Sequence, residues 1–127
     1  MSFEPKKPSS IIQAFRYAFE GIGYSLRTQR NMRIHFVVGV LVLIAGFFLR
    51  LQALEWVALL VCIALVIGSE LLNTAIEATV DLASPEKQPL AKIAKDSSAA
   101  AVLVFAFLSA LVGVIVICQA ALRLAGV

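Results

Sequence analysis

The chain has 127 residues, of which 61% are hydrophobic and 15% charged, and its formal net charge is +3. This apolar share excludes an ordinary soluble domain and predicts an all-α membrane protein, in which residues 1–127 form a single domain. The positive charge is attributed to membrane topology and anionic headgroups, so no nucleic-acid partner is expected.

The first 27 residues predict a disordered leader followed by a surface helix. Residues 1–8 contain two lysines and two prolines and form the leader. Ser9 or Ser10 can cap a helix that occupies residues 9–27. One face of this helix is apolar, which is typical of a helix lying in the membrane interface, although packing on its own protein fits equally well. The apolar face consists of Ile11, Ile12, Phe15, Phe19, Ile22 and Leu26.

Three apolar segments predict transmembrane helices at 33–50, 54–82 and 90–123, since a helix needs roughly 20 apolar residues to cross the hydrocarbon. A polar elbow, Thr28–His35, leads into the first of them. A short turn, Arg50–Glu55, separates the first two, and the proline-rich segment Ala83–Pro89 separates the last two.

The basic residues indicate how the chain is oriented. Nine of the eleven either precede the apolar part of the first span or lie between the apolar parts of the second and third, and only Arg50 and Arg123 fall on the other side. This bias predicts a cytoplasmic N-terminus and a multi-pass protein. Cys62 and Cys118 fall inside apolar spans and are interpreted as small core residues.

Four polar residues recur on one face of the second span, near its end, with the spacing i, i+3, i+7 and i+11. They are Glu70, Asn73, Glu77 and Asp81. A carboxylate at bilayer depth is costly, so ionisable residues there usually line a site or a cavity.

A second polar group begins the third span and faces the same interface. It consists of Lys92, Lys95 and Asp96. Ion pairs between adjacent helices are one interpretation of the two groups. Phosphoryl transfer is the other, because carboxylates hold a divalent cation, lysine neutralises phosphate, and a further carboxylate can accept a proton.

The stretch Glu70–Asp81, followed by Ala94–Asp96 and Ala99–Val102, resembles the signature of the prokaryotic diacylglycerol kinase and undecaprenol kinase family. The resemblance runs from about Ile11 to the third span. It implies a homotrimer of three-span subunits in the bacterial cytoplasmic (inner) membrane, with active sites shared between neighbours. It also implies phosphorylation of a lipid alcohol by ATP with Mg²⁺.

The resemblance assigns roles to individual residues. Glu70 would be the general base, Glu77 would bind Mg²⁺, and Asn73 would support the reacting centre. The family's second metal-binding carboxylate falls on Gln29, whose neutral oxygen can still ligate magnesium. The positions matching nucleotide contacts are Tyr17, Gln29, Glu77, Glu86, Lys87, Gln88, Lys95 and Asp96. The positions matching lipid contacts are Ala14, Phe15, Phe19, Asn31, Arg33, His35, Glu70, Asn73 and Ala99.

The lipid is expected to be undecaprenol, because the elbow Arg30–His35 is more similar to the undecaprenol kinase branch, and diacylglycerol is the alternative. Ser10 stands where diacylglycerol-specific members carry arginine. A small transporter using Glu70 or Glu77 as a proton or cation site remains a rival, but it does not explain Lys95 and Asp96. A non-catalytic membrane adaptor would not need the polar residues.

Overall fold

The structure is a computed structural model, and it describes residues 7–127. Within these residues four helices follow one another: α1 (Ile11–Thr28), α2 (Arg30–Phe48), α3 (Ala53–Ala83) and α4 (Pro89–Leu124). The predicted fold class, an N-terminal helix followed by three apolar spans, is confirmed. Most of the predicted leader, residues 1–6, lies outside the described residues.

Helices α2, α3 and α4 are each long and apolar enough to cross a membrane. The 31 residues of α3 and the 36 residues of α4 correspond to roughly 46 and 54 Å of helix, more than the roughly 30 Å of hydrocarbon. Because both helices exceed the hydrocarbon thickness, their polar ends can extend beyond it. We call the start of α2, the end of α3 and the start of α4 the polar end of the bundle.

A one-residue corner, Gln29, joins α1 to α2. Ser10 caps α1 by accepting a hydrogen bond from the backbone N–H of Gln13 at 3.3 Å. At the other end, the Arg33 guanidinium donates to the carbonyl oxygens of Leu26 and Arg27 at 3.1 and 3.0 Å. Between the helices only Gln29 is non-helical. The polar elbow predicted over 28–35 is therefore mostly helix, because its residues include no proline or glycine and Arg33 caps the helix before it.

Helices α3 and α4 form a hairpin with the most extensive packing in the molecule. Its buried apolar centre lies toward the α2–α3 turn and contains Leu51, Leu59, Val116 and Ala120. The Arg123 guanidinium donates two hydrogen bonds to the Glu55 carboxylate, at 2.8 and 2.9 Å, and so joins the first turn of α3 to the last turn of α4.

The α2–α3 turn is tight. Leu51 N–H donates to the Gly46 carbonyl at 3.2 Å and Arg50 N–H to Phe47 at 3.3 Å, the pattern of a Schellman motif. Arg50 takes the left-handed conformation, with φ of 52°. At the opposite end, residues 84–88 connect the helices, and Pro89 occupies the first turn of α4, where its missing N–H costs nothing.

Candidate active site

Glu70 is the most deeply buried carboxylate among the described residues. Its side chain is 2% exposed, and its Oε1 atom has no hydrogen-bond partner among residues 7–127. His35 Nε2 lies 3.4 Å from that oxygen, which is longer than a normal hydrogen bond. A buried polar atom without a partner is costly, so its retention favours a functional role for Glu70.

Glu77 lies two turns further along α3 and is bonded on both oxygens by neutral amides. Asn73 Nδ2 donates to Oε1 at 3.1 Å, and Gln29 Nε2 donates to Oε2 at 3.2 Å. Helix α3 supplies two of these three side chains, and the corner between α1 and α2 supplies the third. The predicted metal position Gln29 therefore does lie beside Glu77.

Ser98 of α4 is bonded to the same group of side chains as Glu77. It is not among the site residues predicted from the sequence. Its hydroxyl donates to Asn73 Oδ1 at 2.6 Å, and both side chains are buried. We call the bonded series Ser98, Asn73, Glu77 and Gln29 the polar chain. The sequence feature that could have identified Ser98 is its position three residues after Lys95, on the same helix face.

The lysines at the start of α4 are matched by carboxylates. Lys95 pairs with Asp81 across the helices, and Lys92 pairs with Asp96 along α4. The ion-pair interpretation therefore holds between the two helices for Asp81 and Lys95 only, because Glu70 and Glu77 have no lysine partner among the described residues. Both pairs are largely exposed, and exposed pairs contribute only about 0–1 kcal/mol, so either lysine can leave its partner for a phosphate at small cost.

A cavity of about 580 Å³ lies beside the α3–α4 turn. Five of the predicted nucleotide-contacting residues line it: Glu86, Lys87, Gln88, Lys95 and Asp96. Within residues 7–127, the other three, Tyr17, Gln29 and Glu77, do not line this cavity. Tyr17 lies on α1 with 43% of its surface exposed.

A second cavity, of about 550 Å³, is an apolar cleft between α2, α3 and α4. It begins at Ile34 and His35 near the polar end, and along α4 it extends from Ala106 to Cys118, roughly 18 Å of helix axis. His35 therefore contacts the cleft on one side and Glu70 on the other.

Most of the other predicted lipid-contacting residues are exposed and do not line the cleft. Ala14, Phe15 and Phe19 are exposed on α1, and Asn31 and Ala99 are exposed on α2 and α4. Arg33 is used to cap α1. Among the described residues, His35 is the one member of the predicted set that lines the cleft.

A metal site with three or more His, Cys, Asp or Glu side chains is not found within residues 7–127. The polar chain offers one carboxylate, Glu77, with the Gln29 amide beside it. Magnesium is commonly held by one or two carboxylates with waters and substrate phosphates, so this donor set fits Mg²⁺ that arrives with a nucleotide.

Comparison with known proteins gives consistent matches. The family described as prokaryotic diacylglycerol kinase matches residues 16–117. The undecaprenol kinase of Bacillus subtilis is 43% identical over 106 residues, which cover 84% of this chain and 86% of that protein. The diacylglycerol kinase of Synechocystis is 45% identical over 105 residues, covering 82% of this chain and 60% of its own length. The diacylglycerol kinase of Escherichia coli K12 is 34% identical over 94 residues, which cover 74% of this chain and 77% of that protein.

Proposed function

The chain belongs to the prokaryotic diacylglycerol kinase family of lipid kinases, and from this premise we propose that it transfers the γ-phosphate of ATP to undecaprenol, giving undecaprenyl phosphate. Diacylglycerol is the alternative acceptor. The observation that carries the proposal is the buried carboxylate of Glu70, with one unbonded oxygen, beside the His35 end of an apolar cleft.

In this proposal Glu70 is the general base. The lipid hydroxyl gives its proton to the Glu70 carboxylate while its oxygen forms a bond to the γ-phosphorus. The bond from that phosphorus to the bridging oxygen breaks, and ADP leaves. Burial of Glu70 supports the assignment, because a base shielded from water is available to a hydroxyl that enters from the membrane.

The nucleotide is proposed to occupy the cavity beside the α3–α4 turn, with Lys95 exchanging Asp81 for phosphate oxygens. Glu77 would hold magnesium, helped by the neutral oxygen of Gln29. When bound, the ion would neutralise charge on the phosphates during transfer.

Two observations support undecaprenol over diacylglycerol. The cleft is apolar and runs along α4 for roughly 18 Å, which suits the long single chain of undecaprenol. Of the relatives named above, the undecaprenol kinase is matched over the largest share of its own length.

The assembly is proposed to be a homotrimer with shared active sites, in the bacterial cytoplasmic membrane with the polar end in the cytoplasm. The position of Tyr17, away from the cavity in one chain, supports sharing, since a neighbouring subunit could supply this residue. The basic residues clustered at the polar end support the orientation. Native mass measurement of the detergent-solubilised protein should give three chains.

The substrate proposal is tested with purified protein in vesicles that contain undecaprenol and diacylglycerol in equal amounts. After incubation with ATP labelled at the γ-phosphate and Mg²⁺, the extracted lipids are separated and counted. Undecaprenyl phosphate should carry most of the label. Phosphatidic acid as the main product would make diacylglycerol the acceptor, and proton flux without labelled lipid would favour the transporter.

A further inference from the structure

The Ser98 hydroxyl lies between two acceptors on different helices. Its oxygen is 2.6 Å from Asn73 Oδ1 on α3 and 2.9 Å from the Lys95 carbonyl oxygen on α4. A hydroxyl carries one hydrogen, so it donates fully to one acceptor at a time. The choice between them determines how the polar chain is ordered.

The geometry favours donation to Asn73. The Lys95 carbonyl lies within α4, where the regular helix pattern already supplies it with the N–H of residue 99. Asn73 Oδ1 is the nearer acceptor, and it belongs to a side chain that is 8% exposed, with little access to water. Leaving this oxygen without a donor would cost more than leaving the carbonyl with one bond.

Donation to Asn73 fixes the direction of its amide. An asparagine side chain accepts at one end and donates at the other, so an oxygen held by Ser98 turns Nδ2 toward Glu77 Oε1, 3.1 Å away. The flipped amide would place its oxygen against the carboxylate oxygen, which is repulsive. Through Asn73, Ser98 is therefore linked to the Glu77 carboxylate from the neighbouring helix.

We propose that Ser98 is a positioning residue for phosphoryl transfer, acting through Asn73 to hold the Glu77 carboxylate in the orientation that receives the magnesium of Mg-ATP. This inference rests on the proposed function. Groups that orient a metal ligand from behind commonly change metal affinity or activity by about 10-fold to 100-fold when removed. Ser98 also lies three residues after Lys95, so its bond to Asn73 joins α4 to α3 about one turn from that lysine.

The test measures cation affinity apart from turnover. Mn²⁺ binding is followed by electron paramagnetic resonance in the presence of a non-hydrolysable ATP analogue and without lipid, and Mg²⁺ dependence is measured separately in the kinase assay. Ser98→Ala should weaken Mn²⁺ binding by about 10-fold and raise the Mg²⁺ needed for half-maximal rate similarly. Ser98→Thr keeps the hydroxyl and should stay near the parent.

Ser97→Ala is the matched control, because it makes the same change one residue away at an exposed position. A purely packing role for Ser98 would lower the melting temperature of Ser98→Ala and leave cation affinity unchanged, which would overturn the proposal. If Ser98→Ala does not assemble, Ser98→Cys replaces it, because cysteine keeps the size with a weaker donor. This variant should give an intermediate loss of Mn²⁺ affinity. Parental affinity in Ser98→Cys would also overturn the proposal. A parent that neither binds Mn²⁺ with the analogue nor labels lipid would instead refute the proposed function.

Discussion

Glu77 illustrates how one residue in this molecule depends on its neighbours. Both carboxylate oxygens accept from neutral amides, so two hydrogen bonds hold the charged group in place. The family resemblance implies a second metal-binding carboxylate at position 29, where this chain has glutamine. The substitution removes a repulsion between neighbouring carboxylates and, in the proposed site, one charge that would attract a cation.

Gln29→Glu should make stability depend on magnesium. In a chelator, the new carboxylate lies beside Glu77 and repels it, so the melting temperature should fall below the parent value. Added Mg²⁺ should raise it by more than in the parent, because a ligand that binds the folded state stabilises it. Thermal melts in detergent at increasing Mg²⁺ measure this effect.

The matched control for that experiment is Gln13→Glu, which adds the same charge at an exposed position of α1. Glu77→Ala should show the opposite trend, a higher Mg²⁺ requirement in the kinase assay. Identical magnesium titrations for Gln29→Glu, Glu77→Ala and the parent would place the metal elsewhere.

Lys95→Met should impair ATP use and leave folding nearly unchanged. The lost pair with Asp81 is largely exposed and contributes about 0–1 kcal/mol, whereas loss of the ammonium removes a charge that would meet phosphate. The Michaelis constant for ATP should rise about 10-fold or more, with a melting temperature close to the parent value. Lys92→Met, which also removes an exposed pair from α4, is the control for stability. A large loss of stability with unchanged ATP kinetics would show that Lys95 serves only its pair.

At the scale of elements, the α2–α3 turn depends on a close approach at Gly46. A Cβ atom there would lie 2.8 Å from Leu51 Cδ1 and 2.9 Å from Trp56 Cη2, closer than real contacts allow. Gly46→Ala should therefore lower stability by about 1–3 kcal/mol, seen as a lower melting temperature in detergent.

Gly21→Ala is the matched control for Gly46→Ala. A Cβ atom at Gly21 meets no atom within 4 Å among the described residues, and alanine is the better helix former. Its melting temperature should equal or exceed that of the parent. Equal melting temperatures for Gly46→Ala and the parent would show that the turn adjusts without cost.

The elements were predictable because their signals are local. Apolar length predicts the three spans, and the 3.6-residue period predicts that Glu70, Asn73 and Glu77 share one face of α3. The end of α1 was less predictable. Its stop at Gln29 depends on Arg33 reaching back to carbonyls six and seven residues earlier, and no proline or glycine marks the position.

At the scale of the whole molecule, the register of the α3–α4 hairpin is fixed at both ends. Arg123 and Glu55 join the helices at one end, and Ser98 and Asn73 join them at the other. These partners are 68 and 25 residues apart in the chain, so no local pattern pairs them. The sequence alone therefore predicts the face that carries the acidic residues but not which way the amides of the polar chain point.

The proposed phosphoryl transfer depends most on Glu70 as the base that accepts the lipid hydroxyl proton. The direct measurement is the rate of label transfer from the γ-phosphate of ATP to undecaprenol by Glu70→Gln, beside the parent and the exposed control Glu20→Gln. Glutamine keeps the size of the side chain and cannot accept the proton, so the rate should fall about 100-fold or more while the protein still assembles. The control should match the parent. A Glu70→Gln rate close to the parent rate would contradict the role of Glu70 as the general base.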